Sequence, residues 1–178
     1  AVKRSGGLYC WGEGSAGRRG MASGDAFVPT RVDSLSDYEA VWAGGEHTCV
    51  SQQGVVPCFG GRSNGQLGDG TRADQPNPMG VDAETWDRVS AEGNSSCALR
   101  GGALHCWGAN VPDGDPEFFA RQYATPTRVG SLSGWTDVSV APYAGCGIES
   151  GRVFCWGENS NGGVGDGTTT NRTAPTQV

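Results

Sequence analysis

Very little in this sequence supplies reactive groups. There are two histidines, His47 and His105, and no Cys-x-x-Cys pair. Each histidine lies beside a cysteine already claimed by a repeated pattern, so a zinc site has no ligand set to draw on. No serine–histidine–acid set can be assembled, and the paired carboxylates of a polysaccharide-cleaving enzyme cannot be brought together from the sequence. The expectation is a protein that is not an enzyme and uses no cofactor or metal. Charge is also scarce: charged residues make up 18% of the chain and the net charge is −6. Nucleic acid is not expected as a partner, because phosphate contacts need a basic surface. No apolar run approaches the roughly 18 to 20 residues of a membrane span, so membrane insertion is not expected. No stretch holds a helical period of apolar residues. The glycine-rich loops do not follow a strand and open a helix, which removes the phosphate-cradle reading. No secretory leader is visible, but Ala1 is no translation start, so a leader or further chain is expected to have been removed.

What the chain does have is glycine, 31 of 178 residues, and seven cysteines at a fixed period. Cys10, Cys58, Cys106 and Cys155 follow one another at 48, 48 and 49 residues. Before the last three, nine residues upstream, stand Cys49, Cys97 and Cys146. Midway between the members of each pair lies a turn dipeptide: Gln53-Gly54, Gly101-Gly102 or Ser150-Gly151. Such dipeptides read as tight β-hairpins, because glycine tolerates positive φ. With that turn as the loop, the cysteines form the fourth pair out, a non-hydrogen-bonded pair with Cα atoms about 4.5 Å apart. That is near the lower end of what a disulfide accepts. Three cross-hairpin bridges are therefore expected, Cys49–Cys58, Cys97–Cys106 and Cys146–Cys155. The alternative is small buried thiols. Persistent disulfides belong to oxidising spaces, so the expected location is extracytoplasmic: secreted, periplasmic or cell-surface.

Repeats of this kind govern the whole reading. Three are complete, at 38–81, 86–129 and 135–178, and a partial one covers 1–32. In each complete unit an aromatic residue (Tyr38, Trp86, Trp135) precedes the first cysteine by 11 residues, and a valine (Val41, Val89, Val138) by eight. Each unit ends in a Pro-x-x-Val-type segment, with Val32, Val81, Val129 and Val178 in that column. Four short extended segments per unit make an all-β fold, a β-propeller of four-stranded antiparallel blades. About three and a half to four blades are expected here. In the partial unit Ser5-Gly6 is the expected turn, and Ala1 stands where the partner of Cys10 belongs. Cys10 is then a buried free thiol, or the site of an intermolecular disulfide.

The pattern Cys155-Trp156-Gly157-Glu158-Asn159 through Gly165-Asp166-Gly167-Thr168 resembles the regulator of chromosome condensation repeat, as does Gly45-Glu46-His47-Thr48-Cys49. The resemblance recurs in every unit. It implies a propeller, usually of seven blades, and the cysteine pair in each hairpin is similar to secreted and bacterial members. Seven blades need about twice this length. The open edges are expected to be completed by more of the same chain or by another subunit, because unpaired edges are a liability. The first functional expectation is a non-catalytic protein-interaction or structural module. The alternatives implied by the resemblance are a secreted inhibitor or regulator of an enzyme and, against the cysteines, a nucleotide-exchange factor for a small GTPase.

Candidate contact residues come from departures within the repeat. Residues 111–123 replace glycines with Asp113, Asp115, Phe118, Phe119 and Tyr123, which reads as a protein-contact loop. The alternative is that the phenylalanines tuck between blades. Tyr143, in Ala141-Pro142-Tyr143-Ala144, is a further candidate. Arg18 and Arg19 stand where the second repeat has Gln66-Leu67, which suggests a local rearrangement or a contact. Acids such as Asp113, Asp115 and those of the Gly-Asp-Gly-Thr turns either hold calcium or cap turns through backbone bonds. Asn94 and Asn171 open possible N-glycosylation sequons.

Overall fold

The two-residue turns set the structural unit. Gln53 and Gly54 have φ of 52° and 81°, Gly101 and Gly102 55° and 74°, Ser150 and Gly151 48° and 77°. Two successive positive φ values are what a type I′ hairpin turn requires, and its twist matches that of the flanking strands. Around these turns the chain builds strands β3 (Tyr38–Ala43), β4 (His47–Gln52), β5 (Pro57–Gly60) and β6 (Gln75–Gly80), then β7 (Arg88–Glu92), β8 (Ser95–Arg100), β9 (Ala103–Ala109) and β10 (Gln122–Arg128), then β11 (Trp135–Val140), β12 (Ala144–Glu149), β13 (Arg152–Gly157) and β14 (Arg172–Gln177). Each group of four is one antiparallel sheet in chain order. Ahead of them β1 (Tyr9–Gly12) pairs with β2 (Ala26–Arg31). The computed structural model describes residues 1–21, 24–32, 37–61, 63–81, 84–117 and 120–178.

The cysteine pairs are directly opposed in register: Cys49 with Cys58, Cys97 with Cys106, Cys146 with Cys155. All three are disulfides with Cα atoms 4.1 Å apart, the close approach of a non-hydrogen-bonded pair. The first hairpin departs from the expected register. Val2 bridges Leu8, and Ala1 stands opposite Tyr9, donating from its ammonium to the Tyr9 carbonyl at 2.7 Å. The cause is local. Gly6 has positive φ but Ser5 does not, so the turn takes a third residue, with Lys3 and Gly7 closing it, the other common hairpin loop. Ala1 therefore does not face Cys10, which is free and buried.

Successive sheets stack face to face, and each stack has its own apolar core. Leu8, Cys10, Tyr38, Val50 and Phe59 fill the space between the first blade and the second. Cys49, Cys58, Val56, Trp86, Val89 and Trp107 fill the next space. Cys97, Cys106, Leu99, Leu104, Trp135, Val138 and Trp156 fill the third. A rule runs through all three: the aromatic of the third strand looks back to the previous blade, while the disulfide looks forward to the next. The first strands lie side by side, β3 against β7 and β7 against β11, so they form the inner wall of the stack. At the outside, the valine column closes each blade. Val32, Val81, Val129 and Val178 each donate their backbone N–H to the carbonyl of Leu8, Val56, Leu104 or Val153, at 3.0, 3.2, 2.9 and 3.1 Å.

Candidate interaction surfaces

Among the described residues none packs on the forward-looking side of the last blade. Leu99 and Leu104 flank the disulfide of the third blade and are 1% and 0% exposed. Ile148 and Val153 occupy the same columns in the fourth and are 37% and 45% exposed. Val178 is exposed too, whereas Val81 and Val129 are buried. Ile148 and Val153, with Val138 and Cys146, line an apolar cleft of about 270 Å³.

The glycine loops make the same comparison. In the second blade a Cβ at Gly65 would lie 2.7 Å from the Ala124 Cα of the third, and one at Gly68 would lie 2.7 Å from Trp107 Nε1. These glycines exist so that the next blade can approach. The Gln66 carbonyl completes the seat, accepting from Trp107 Nε1 at 2.9 Å and from the Ser96 hydroxyl at 3.0 Å. In the fourth blade the equivalents are Gly162 and Gly165: a Cβ at Gly165 would meet nothing within 4 Å, and one at Gly162 only the Thr168 carbonyl of its own loop, at 4.0 Å. That loop is nonetheless rigidly built. Asn159, 1% exposed, accepts from the Val164 N–H and donates to Asp166 and to the carbonyls of Thr168 and Thr170. Burial alone would raise the Asp166 carboxyl. Hydrogen bonds from Thr168, Arg172 and Asn159 outweigh it and hold the group at about 2.

A second surface is polar. The turns after β3, β7 and β11 all lie at one end of the blades, where neighbouring blades are bonded to one another. Gly45 N–H donates to the Gly93 carbonyl at 2.8 Å, and Asn110 Nδ2 to the Pro142 carbonyl at 2.8 Å. Together with the loops after β5 and β9 they surround a cleft of about 660 Å³.

The sequence candidates distribute unevenly over these surfaces. Tyr143 is 60% exposed and sits at the polar cleft. Tyr123 packs against the core between the third and fourth blades, and its hydroxyl donates to Asp113. Asp113 Oδ1 accepts the Asp115 N–H, and Asp115 Oδ1 the Glu117 N–H, so both acids cap turns. Asp69 and Asp166 do the same for Thr71 and Thr168. Among the described residues no group of three or more His, Cys, Asp and Glu side chains could hold a metal ion. Phe118 and Phe119 lie outside the described residues. Arg18 joins two blades, bonding Glu13 at 3.1 Å and Glu46 at 3.4 Å. Arg19 is 5% exposed and donates to the Gly24 carbonyl. Asn94 lines the polar cleft, and the Asn171 side chain accepts the Asn159 N–H at 2.8 Å. Burial pushes the Cys10 thiol up, which makes it a poor nucleophile.

A serine–histidine contact is present, His47 Nε2 to Ser96 Oγ at 2.8 Å, but it is not a nucleophile and base. The Ser96 proton is committed to the Gln66 carbonyl, so His47 Nε2 must be the donor. Both side chains are buried, His47 1% and Ser96 0% exposed.

The class defined by these features is an open stack of propeller blades, the last three each stapled by a disulfide of its own. Residues 150–178 match the family described as the Regulator of chromosome condensation (RCC1) repeat, the repeat that the sequence resembles throughout. The whole chain is similar in fold to human WBSCR16, at 18% identity and a TM-score of 0.85. It is similar to yeast RCC1 (Prp20), solved bound to Kap60, at 17% and 0.83, and to Prp20p from Saccharomyces cerevisiae, described with its binding to Gsp1p and histones, at 18% and 0.79. Each superposition covers 99% of this chain but 49%, 45% and 47% of those proteins. The chain thus spans about half the length of the structures it matches, and it builds part of a ring.

Proposed function

We propose that this chain is a non-catalytic protein-interaction module of the extracytoplasmic space, a rigid scaffold joined along its last blade by a further blade-like unit. That unit comes from the same polypeptide or from another subunit. The observation that carries the reading is the half-built interface on the fourth blade. Ile148, Val153, Val178 and the Cys146–Cys155 bridge repeat, in the open, the surface that blades two and three bury. The glycine seat at Gly162 and Gly165 repeats it as well. The incoming unit needs an aromatic side chain in the Trp107 column, which would fill the seat, and an extended outer strand.

The compartment follows from the disulfides, since cytosolic and nuclear thiol buffers keep such pairs reduced. Proteins of similar fold are named with protein partners, Kap60, Gsp1p and histones, which agrees with a binding role.

The test is purification from the native source without reductant, followed by alkylation and native mass spectrometry. Six of the seven cysteines should resist alkylation, and the chain should be found continuous with, or bound to, further β-structure. Six reactive thiols would overturn the compartment. A lone 18.4 kDa species would overturn the completed interface.

A further inference from the structure

The polar cleft at the turn end of the blades has a composition that selects one ligand chemistry. Its volume of about 660 Å³ lies within the usual range of ligand clefts, roughly 300–1,000 Å³. Side-chain amides dominate its wall: Asn64, Asn94, Asn110 and Gln122. Among the described residues the charged ones that reach it, Arg18 and Glu46, are paired with each other at 3.4 Å, so no described residue of the wall brings an unpaired charge to attract an ion.

The amides are held in place. Gln122 Nε2 donates to Asn64 Oδ1 at 2.8 Å, and Gln122 Oε1 accepts from Arg72 at 2.7 Å. Asn110 Nδ2 is tied to the Pro142 carbonyl. A side-chain amide offers two donors and a two-lone-pair acceptor, and these bonds use only part of that capacity. The Asn94 side chain makes no hydrogen bond among the described residues. Arg18 Nε is buried without a partner. Fixed, unsaturated donors and acceptors cost little further entropy when a ligand arrives.

One aromatic ring completes the wall. Tyr143 is 60% exposed, and its backbone carbonyl is fixed by the Glu158 N–H at 2.8 Å. Beyond it, the apolar side chains in the cleft among the described residues are Pro142 and Ala109. An extended peptide takes its specificity from pockets for alternate side chains, and this wall offers none that is apolar. A phosphate or carboxylate ligand would need a free cation. A sugar matches what is present: hydroxyls that both donate and accept, and a C–H face that lies on an aromatic ring.

We propose that this cleft binds a short neutral oligosaccharide, with Tyr143 as the stacking platform and Asn94 and Asn110 reading hydroxyls. The site is independent of the blade-completing face, which lies on the forward side of the fourth blade.

The test is saturation-transfer NMR of the chain, with Asn94 shown unmodified by intact mass, against cello-, manno-, galacto- and chito-oligosaccharides. At least one series should bind with a Kd of about 1 mM or tighter and shift the side-chain amide signals of Asn94 and Asn110. Tyr143→Ala should weaken it by about tenfold or more, and Tyr143→Phe should retain it. Binding should persist when Ile148 and Val153 are changed to Glu, which separates this site from the proposed partner face. No binding by any series at ~10 mM would overturn the proposal. So would binding that survives both Tyr143→Ala and Asn94→Ala, or capture of peptides where no sugar binds.

Discussion

His47 shows how one buried residue links acidity to stability. Burial lowers its pKa from 6.5 to about 4. Nε2 donates to Ser96, and Nδ1 has no partner, so a second proton would put an unpaired charge in a dry interior. In the unfolded chain the ring takes up its proton near the ordinary value. Above about 6.5 neither state binds the proton and nothing is lost. As pH falls from 6.5 to 4, the unfolded state binds a proton that the folded state refuses. Stability should drop by about 3 kcal/mol in that window from this residue alone. Urea denaturation at pH 7 and pH 5 measures the slope, and the imidazole NMR titration should have its midpoint near 4. A midpoint near 6.5 would mean that the ring is solvated.

At the scale of the element, each hairpin was legible because its instructions are local. A glycine in the turn, cysteines nine apart and an aromatic 11 residues ahead lie within one short stretch, and backbone sterics convert them directly into a turn and a register. The first hairpin was misread for an equally local reason: Ser5 does not take the positive φ that Gln53 and Ser150 accept. The fourth blade shows how packing adjusts an element. Gly145 and Gly147 stand where the second blade has Thr48 and Val50. A Cβ at Gly147 would lie 2.7 Å from the Trp135 ring, and one at Gly145 2.6 Å from the Trp156 ring. Gly147→Ala should therefore cost about 1–3 kcal/mol, the range for overpacking a filled core, and thermal melts compare it with the parent. An unchanged melting temperature would show that the indole moves at no cost. The polar cleft was not legible. Asn64, Asn94, Asn110 and Tyr143 belong to turns of three blades, and only the stacking of those blades brings them together. Nor could the sequence say that Tyr123 turns inward onto Asp113.

Across the whole molecule the two ends of the stack are unequal. Trp11, in the column of Trp107 and Trp156, is 52% exposed, whereas those two are buried against the blade before them. At the other end, Ile148 and Val153 face outward. Changing both to Glu should leave the unfolding free energy within about 0.5 kcal/mol of the parent, as exposed sites do, while abolishing association in sedimentation equilibrium. Unaltered association would place the contact elsewhere. Reduction should act on the last three blades at once. Each bridge closes a loop worth about 2.5 kcal/mol of chain entropy, so three together rival the typical 5–15 kcal/mol of a domain. Far-UV circular dichroism in reductant should show the β-signal lost at 37 °C or close to it. A melt unmoved by reductant would mean that the blade cores suffice alone.

Six cysteines admit 15 ways of pairing, yet each bridge here joins residues only nine apart. A newly made hairpin has its right partner at hand before the next cysteine pair has been synthesised. Oxidation can then proceed in the order of translation, one blade at a time. The short cysteine spacing thus acts as a proofreading device, and a chain of such repeats can lengthen without adding to its risk of mispairing.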